Sequence, residues 1–262
     1  MKSDFLKIKK NWDNFWKKAM TTVDLQHDRR EIRRIQNSII SKYSEKYIRN
    51  KFGSFKNLKV IEIGSGRGEY SLPFALQGAD ITLLDYSQFA LEGALKLYSA
   101  FGLKPKIIIA DLFNLPEYLI GNFDISASYG LVEHYLYPQR QQLFNIHLSL
   151  LNEKGSTIIA VPNKFSPPYR LFKKITELTG RWQIGTEIPF SIEELKICAN
   201  KVGFKRNQIT ASSFVRDSLY FLINRPIYFL SNHKLEFMFS DFDIYTPVNN
   251  LFGFLFALIA EK

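Results

Sequence analysis

Cysteine is nearly absent from this chain. Cys198 stands alone among 262 residues, so no disulfide can form within the chain and the fold must rest on its core. The stretch from Met1 to Lys7 also lacks the apolar segment and small-residue cleavage site of a signal peptide, so a reducing, cytoplasmic setting is expected. Long hydrophobic runs are missing too. The most apolar stretches, 219–230 and 251–260, fall short of the roughly 20 residues that cross a bilayer, and Asn224-Arg225-Pro226 interrupts the first. No membrane-spanning helix is expected. Acidic residues are scarce over 1–56, where 15 Lys and Arg face 6 Asp and Glu. The other residues hold 20 and 19, which places +9 of the net charge of +10 in this N-terminal arm. The arm reads as a solvated helix face, or alternatively as a grip for phosphates or an anionic membrane surface. His27, His147 and His233 stand at no metal-ligand spacing from acids, so no metal is expected.

What the chain does hold is apolar material, at 46% of residues, including 23 Phe, 13 Tyr and 3 Trp, which suffices for a sizeable core. Residues 11–50 read as helices. Trp12, Phe15, Trp16, Ala19 and Met20 share one face, as do Ile32, Ile35, Ile39 and Tyr43, with Arg29, Arg30, Arg33 and Arg34 on the wet side. From Leu58 onward, short apolar runs alternate with helical stretches, the pattern of a mostly parallel sheet covered by helices. Strands are expected at 59–63, 81–84, 106–110, 123–128 and 156–161, with helices near 69–77, 87–101 and 138–151. Further strands are expected at 204–210 and 251–260, and Ser191-Ile-Glu-Glu194 reads as a helix-opening capping box. Two insertions, 163–190 and 211–250, interrupt the rhythm, and 12 aromatics among residues 211–262 suggest that the tail wraps something apolar.

The segment that carries chemistry is Val60-Ile-Glu-Ile-Gly64-Ser-Gly66-Arg-Gly68, an apolar strand running into three alternate glycines. Glycines there let the backbone turn sharply and approach a ligand closely. A nicotinamide dinucleotide fingerprint would need its third glycine at 69, where Glu69 stands, so the dehydrogenase reading weakens. Glu62 is placed to orient a cationic, amine-bearing ligand. This segment resembles motif I of the class I S-adenosylmethionine-dependent methyltransferases, and the later segments resemble that family in order. Leu83-Leu84-Asp85-Tyr86-Ser87 resembles the acidic end of the second strand, and Ala110-Asp111-Leu112 the end of the third. Phe123 to His134 resembles the fourth-strand motif of the small-molecule enzymes, with its Glu133-His134 pair, and 150–163 the helix, turn and strand that follow.

The resemblance implies a doubly wound, mostly parallel seven-stranded α/β sheet, with S-adenosyl-L-methionine as cofactor and S-adenosyl-L-homocysteine as product. The implied cofactor-binding residues are Glu62, Gly64, Ser65, Gly66, Gly68, Asp85, Tyr86, Asp111, Leu112 and Ser128. Asp85 would take the ribose hydroxyls and Asp111 the adenine amine; capping the turn before Leu112 is the alternative for Asp111. Asp124, at the start of its strand, reads as structural. Tyr129, Glu133 and His134 are the catalytic candidates, His134 either as general base or as a hydrogen-bonded pocket wall.

Tyr135, Trp182 and Glu187 are the acceptor-pocket candidates, and the expected partner is a small-molecule methyl acceptor. Ser166-Pro167-Pro168-Tyr169 resembles a base-methylating motif but follows the fifth strand rather than the fourth, so nucleic acid is disfavoured and the segment reads as a bend. Cys198, at an apolar helical position, reads as core rather than nucleophile. Residues 1–56 are expected to form a helical cap, with Trp12, Phe15 and Trp16 covering the site, and 57–262 the methyltransferase domain, its insertions forming an acceptor lid. Methyl transfer to RNA or at a membrane surface, and a cofactor-binding regulator without catalysis, are the alternative functions.

Overall fold

The computed structural model describes residues 12–18, 25–182, 185–231, 237 and 243–262. Helix α1 covers 12–18; Ala19 and Met20 lie outside the described residues. Helices α2 (Leu25–Asn37) and α3 (Ile39–Phe52) follow, divided at Ser38, whose Oγ accepts from the Ser41 amide at 3.2 Å as an N-cap. The sheet comprises β1 (Lys59–Ile63), β2 (Asp80–Asp85), β3 (Lys106–Ile109), β4 (Phe123–Tyr129), β5 (Leu151–Pro162), β6 (Lys205–Ala211) and β7 (Leu255–Glu261). Its order is β3-β2-β1-β4-β5-β7-β6, parallel except for β7, which runs antiparallel between β5 and β6. Helices α4 (Leu72–Ala75), α5 (Gln88–Ser99), α6 (Gln139–Leu150), α7 (Pro167–Leu178) and α8 (Ile192–Val202) connect the strands. The connection from β6 to β7 carries α9 (Phe214–Leu219), a π turn (Tyr220–Asn224), α10 (Arg225–Leu230) and α11 (Asn249–Phe252).

The buried strands are apolar on both faces because helices cover both. On one face Ile61, Ile63, Val161 and Leu258 pack with Leu143, Phe144, Leu195 and Cys198 of α6 and α8. On the other, Val60, Leu83, Ile125 and Ile259 pack with Ile32, Ile35, Ile48, Leu72, Leu91 and Tyr98. Helices α2 and α3 therefore pack on this face of the sheet. Some of their cations have partners. Arg29 donates to the Ala100 carbonyl, Lys51 to Ser156 Oγ, and Arg34 pairs with Glu31.

Several sequence expectations shift for physical reasons. The fourth-to-fifth connection has no free turn, since β5 begins at Leu151 opposite Phe123 and its register slips past Asp124. Asp124 there accepts from the Lys59 amide and from Asn152 Nδ2, each at 2.8 Å. Helix α4 is shorter than 69–77, because the positive-φ glycines at 64, 66 and 68 prolong the loop before it. Ser166-Pro167-Pro168-Tyr169 is the start of α7 rather than a bend, with proline in the first turn, where its missing amide costs nothing. Ser191 caps α8, but Glu194 pairs with Arg140 at 2.6 Å. The last strand starts at Leu255 because Asn249 organises α11, its Oδ1 accepting from the Phe214 amide and Thr246 Oγ1.

Asp217 staples the late connection to β7. It is buried, accepts from the Phe254 amide at 2.7 Å and from Ser212 Oγ, and pairs with Arg216 at 3.0 Å. Asp217→Ala should lower stability by about 2–4 kcal/mol, because it leaves Arg216 with Asp243 as its one remaining carboxylate and takes the acceptor from two donors. A urea midpoint that falls at unchanged m-value would show it.

Candidate active site

Strand order reverses between β1 and β4, so the loops leaving those strands diverge and open a crevice at their carboxyl ends. A cavity of about 470 Å³ lies there. Glu62, Gly64, Ser65 and Gly66 come from β1 and its loop, Asp85 and Tyr86 from β2, Leu112 from beyond β3, and Tyr129, His134 and Tyr135 from β4 and the turn after it. All of these were singled out in the sequence. Trp12, Phe15 and Trp16 of α1 close the cavity. Trp12 meets the His134 ring edge-on at 5.2 Å, and a Cβ on Gly66 would come within 2.5 Å of the Trp16 ring. Tyr70, which the sequence did not reveal, stacks on Tyr129 at 4.5 Å. Their sequence separation left no local pattern to read.

Asp85 ends β2, buried, with Oδ2 accepting from the Gly66 amide and Oδ1 from the Ser87 amide, both at 2.9 Å. Burial raises its pKa against these two bonds. Each oxygen retains a lone pair for a hydroxyl donor. Glu62 is 2% exposed, and its Oε2, like Ser65 Oγ, has no hydrogen-bond partner among the described residues. Burial, partly offset by Ser71, pushes its pKa up to about 8. An uncompensated carboxylate in such a place calls for a cationic partner.

Three further expected cofactor residues have partners within the protein. Gly68 lies under the loop, its carbonyl accepting from Tyr98 and its Cβ space filled by Leu83. Asp111 is exposed and takes the Phe113 amide at 3.0 Å, the turn-capping arrangement. Ser128 is turned into the core, where its Oγ meets His147 Nε2 at 3.0 Å. His147 Nδ1 is shared between Ser126 and Thr157, and burial lowers its pKa to about 3.

Beyond His134 the first insertion returns to the site. His134 Nδ1 lies 2.8 Å from the Thr186 carbonyl, and the Ile188 amide donates to the Glu133 carbonyl at 2.8 Å. Glu187 is held by Tyr169, whose hydroxyl donates to it, and by Lys173, which donates to its carbonyl. Glu133, His134 and Glu187 thus place ligand-type atoms within 4.8 Å of one another. Burial lowers the His134 pKa and raises those of both carboxyls. Trp182 does not reach this cluster: its indole donates to the Gly185 carbonyl at 2.8 Å, with Lys173 over its ring. A groove of about 810 Å³ runs alongside, lined by Lys164, Phe165, Tyr169, Arg170, Lys173 and Lys174 among others.

The sequence profile of the family described as "Methyltransferase domain" matches residues 54–206, the stretch that holds β1–β5 and the glycine loop. The chain belongs to the class I S-adenosylmethionine-dependent methyltransferases. Solved structures share the fold. An S-adenosylmethionine-dependent methyltransferase from Archaeoglobus fulgidus has 21% identity and a TM-score of 0.52, over 84% of this chain and 94% of that one. The magnesium protoporphyrin IX methyltransferase of Synechocystis, solved with bound S-adenosylhomocysteine, has 18% identity and a TM-score of 0.57, over 92% and 89%. A methyltransferase from Thermotoga maritima has 16% identity and a TM-score of 0.54, over 87% and 98%. Among curated protein sequences nothing matches. No helix among the described residues is long and apolar enough to cross a membrane.

S-adenosylmethionine is the cofactor of this methyltransferase, and the residues present suit it. The orphaned Glu62 Oε2 meets the need of an ammonium, and at Gly64 and Gly66 a Cβ would strike Leu131 and Trp16. Gly66→Val should abolish S-adenosylhomocysteine binding in calorimetry while the fold survives, since residue 66 has φ +53° and no room for a branched side chain. Glu62 gives a second test. Its carboxyl is protonated at neutral pH in the free protein and must ionise to meet the ligand's amine, so binding releases a proton and tightens as pH rises. The Kd should fall by about tenfold or more from about pH 6 to about pH 8, a dependence that Glu62→Gln would flatten.

Proposed function

We propose that this methyltransferase acts on a small molecule carrying an acidic group, with α1 as a cap over the cofactor and the insertions 163–190 and 211–250 as the acceptor lid. The observation that carries this reading is the closure of the cavity from two sides. Trp12, Phe15 and Trp16 cover one side, and the 185–190 return is bonded to the Glu133-His134 turn on the other. So compact a space suits a small acceptor better than a polymer. The groove beside it offers Lys164, Arg170, Lys173 and Lys174 to an anionic group. Asp85 and Glu62 are assigned to the ribose and the amine, and Tyr70 and Tyr129 to the wall.

The cofactor supplies a methyl group on a cationic sulfur. When the acceptor atom bonds to that carbon, the carbon–sulfur bond breaks and its electron pair stays on sulfur, leaving a neutral thioether. The protein's part is alignment and exclusion of water from the transferring methyl group, with the acceptor proton leaving on the side of the Glu133-His134 turn. Small-molecule chemistry is also named for one structural neighbour, the magnesium protoporphyrin IX enzyme.

A second reading rests on α7, where Leu171, Ile175 and Leu178 form an exposed apolar stripe beside Arg170 and Lys174. Such a face suits an acceptor presented at an anionic membrane surface. Sedimentation with phosphatidylserine vesicles tests it.

Incubation with methyl-labelled cofactor and a metabolite extract should give a labelled, anionic small product. Label that appears only in RNA or protein would overturn the assignment. With the acceptor in hand, Lys173→Ala should raise its KM about tenfold and leave S-adenosylhomocysteine affinity within a few-fold, because Lys173 lines the groove and not the cofactor cavity.

A further inference from the structure

The cluster beyond the end of β4 joins the Glu133-His134 pair to a carboxylate of the first insertion. Glu133 and His134 leave the end of β4 side by side, and Glu187 arrives from the first insertion. Their ligand-type atoms fall within 4.8 Å of one another. Ligands to one ion at about 2.0–2.2 Å lie up to roughly 4.2 Å apart, so a small closure would satisfy all three.

The cluster has an unmet need. Glu133 is 2% exposed, yet its Oε2 has no hydrogen-bond partner among the described residues. Neither Arg140 nor Lys173 forms an ion pair with it. Arg140 holds Glu194, the Tyr135 carbonyl and the Ile188 carbonyl, and Lys173 holds the Glu187 carbonyl and Glu177.

The surroundings also match those of a ligand set. His134 Nδ1 donates to the Thr186 carbonyl, the kind of outer bond that orients metal-binding imidazoles. Tyr169 fixes Glu187 by donating to its carboxylate.

We propose that Glu133, His134 and Glu187 form a divalent-cation site on the acceptor side of the cofactor cavity. Two carboxylates and one imidazole select a borderline ion such as Mn2+, Co2+ or Zn2+ over Mg2+ or Ca2+, which favour all-oxygen shells. Resting on the methyl-transfer reading above, the inference narrows the acceptor to a compound with an ionisable hydroxyl. The ion binds that oxygen and weakens its hold on the proton, which passes to water. In this arrangement His134 is a ligand and not the base. Placement favours the same acceptor, because His134 lines the cofactor cavity while Tyr169 and Lys173, which hold Glu187, line the basic groove.

The test is titration of the purified, chelator-treated full chain with Mn2+ alone, followed by calorimetry and by loss of the free-ion paramagnetic resonance signal. S-adenosylhomocysteine binding is measured on the same samples. One Mn2+ per chain is expected, with affinity reduced at least about tenfold in Glu187→Gln and His134→Ala, while S-adenosylhomocysteine affinity stays within a few-fold in Glu187→Gln, whose side chain does not line the cofactor cavity. Both positions are partly exposed, which protects the fold, and Glu133→Gln should act alike. If neither Mn2+ nor Zn2+ binds the wild type, or if all three variants bind Mn2+ as the wild type does, the cation site is overturned and the methyltransferase assignment stands. Loss of S-adenosylhomocysteine binding by the wild type itself would instead bring down the cofactor reading on which the inference rests.

Discussion

Parallel strands buried on both faces allow polar chemistry only where they end. Along β1, β4 and β5 nearly every side chain is enclosed, so a charged group within the strands would have to be paired or neutralised. The strand order turns back between β1 and β4, and there two neighbouring ends send their loops apart. The glycine loop, the carboxylates of Glu62 and Asp85, and the Glu133-His134 turn are all consequences of that one reversal. Their side chains converge because the register of the sheet brings them level: Glu62 lies opposite Ala127 on one side and Leu83, two residues short of Asp85, on the other.

The acceptor side is built differently, by aromatic packing between two insertions. Tyr169 of α7 meets Phe254 at 4.9 Å and Phe221 at 5.9 Å, and Phe221 also meets Phe172 and Phe254. Here the aromatic-rich tail finds the apolar surface that its composition implied. The packing fixes Tyr169, and Tyr169 fixes Glu187. Gly253 lets the chain pass tightly beneath, since a Cβ there would lie 2.3 Å from the Ser212 carbonyl oxygen. A residue far along the chain thereby governs where a carboxylate of the first insertion stands.

Most of the sheet was legible because each strand carries its own apolar run and each glycine loop its own spacing. The cofactor cavity was legible for the same reason, since Glu62, Gly66 and Asp85 belong to local patterns. Other side chains took partners that local patterns do not show. Ser128 was assigned by its place at a strand end, but the alternation of a strand turned it toward His147, a partner 19 residues away. Asp111 offered two local roles, and its Oδ1 takes the Phe113 amide of the turn. Trp182 was chosen for its residue type, yet its indole satisfied itself on Gly185. Nothing in the spacing of Glu133 and Glu187 could announce their meeting, because an insertion of free length separates them. In the basic arm, Arg30 and Arg33 are exposed, as on a solvated helix face, while Arg29, Lys51 and Arg34 have partners in Ala100, Ser156 and Glu31.

His147 carries a consequence for acid sensitivity. It is fully enclosed among Ser126, Ser128 and Thr157, with hydroxyls on both ring nitrogens and no carboxylate to welcome a proton. In the unfolded chain the same imidazole takes up a proton near 6.5, whereas in the folded protein it resists until about 3. Across that interval the unfolded state binds the extra proton, so each pH unit below 6.5 costs the fold about 1.4 kcal/mol at this one position. The hydroxyl cage that locks β4, β5 and α6 together at neutral pH is also the point through which mild acid loosens the sheet beneath the catalytic turn.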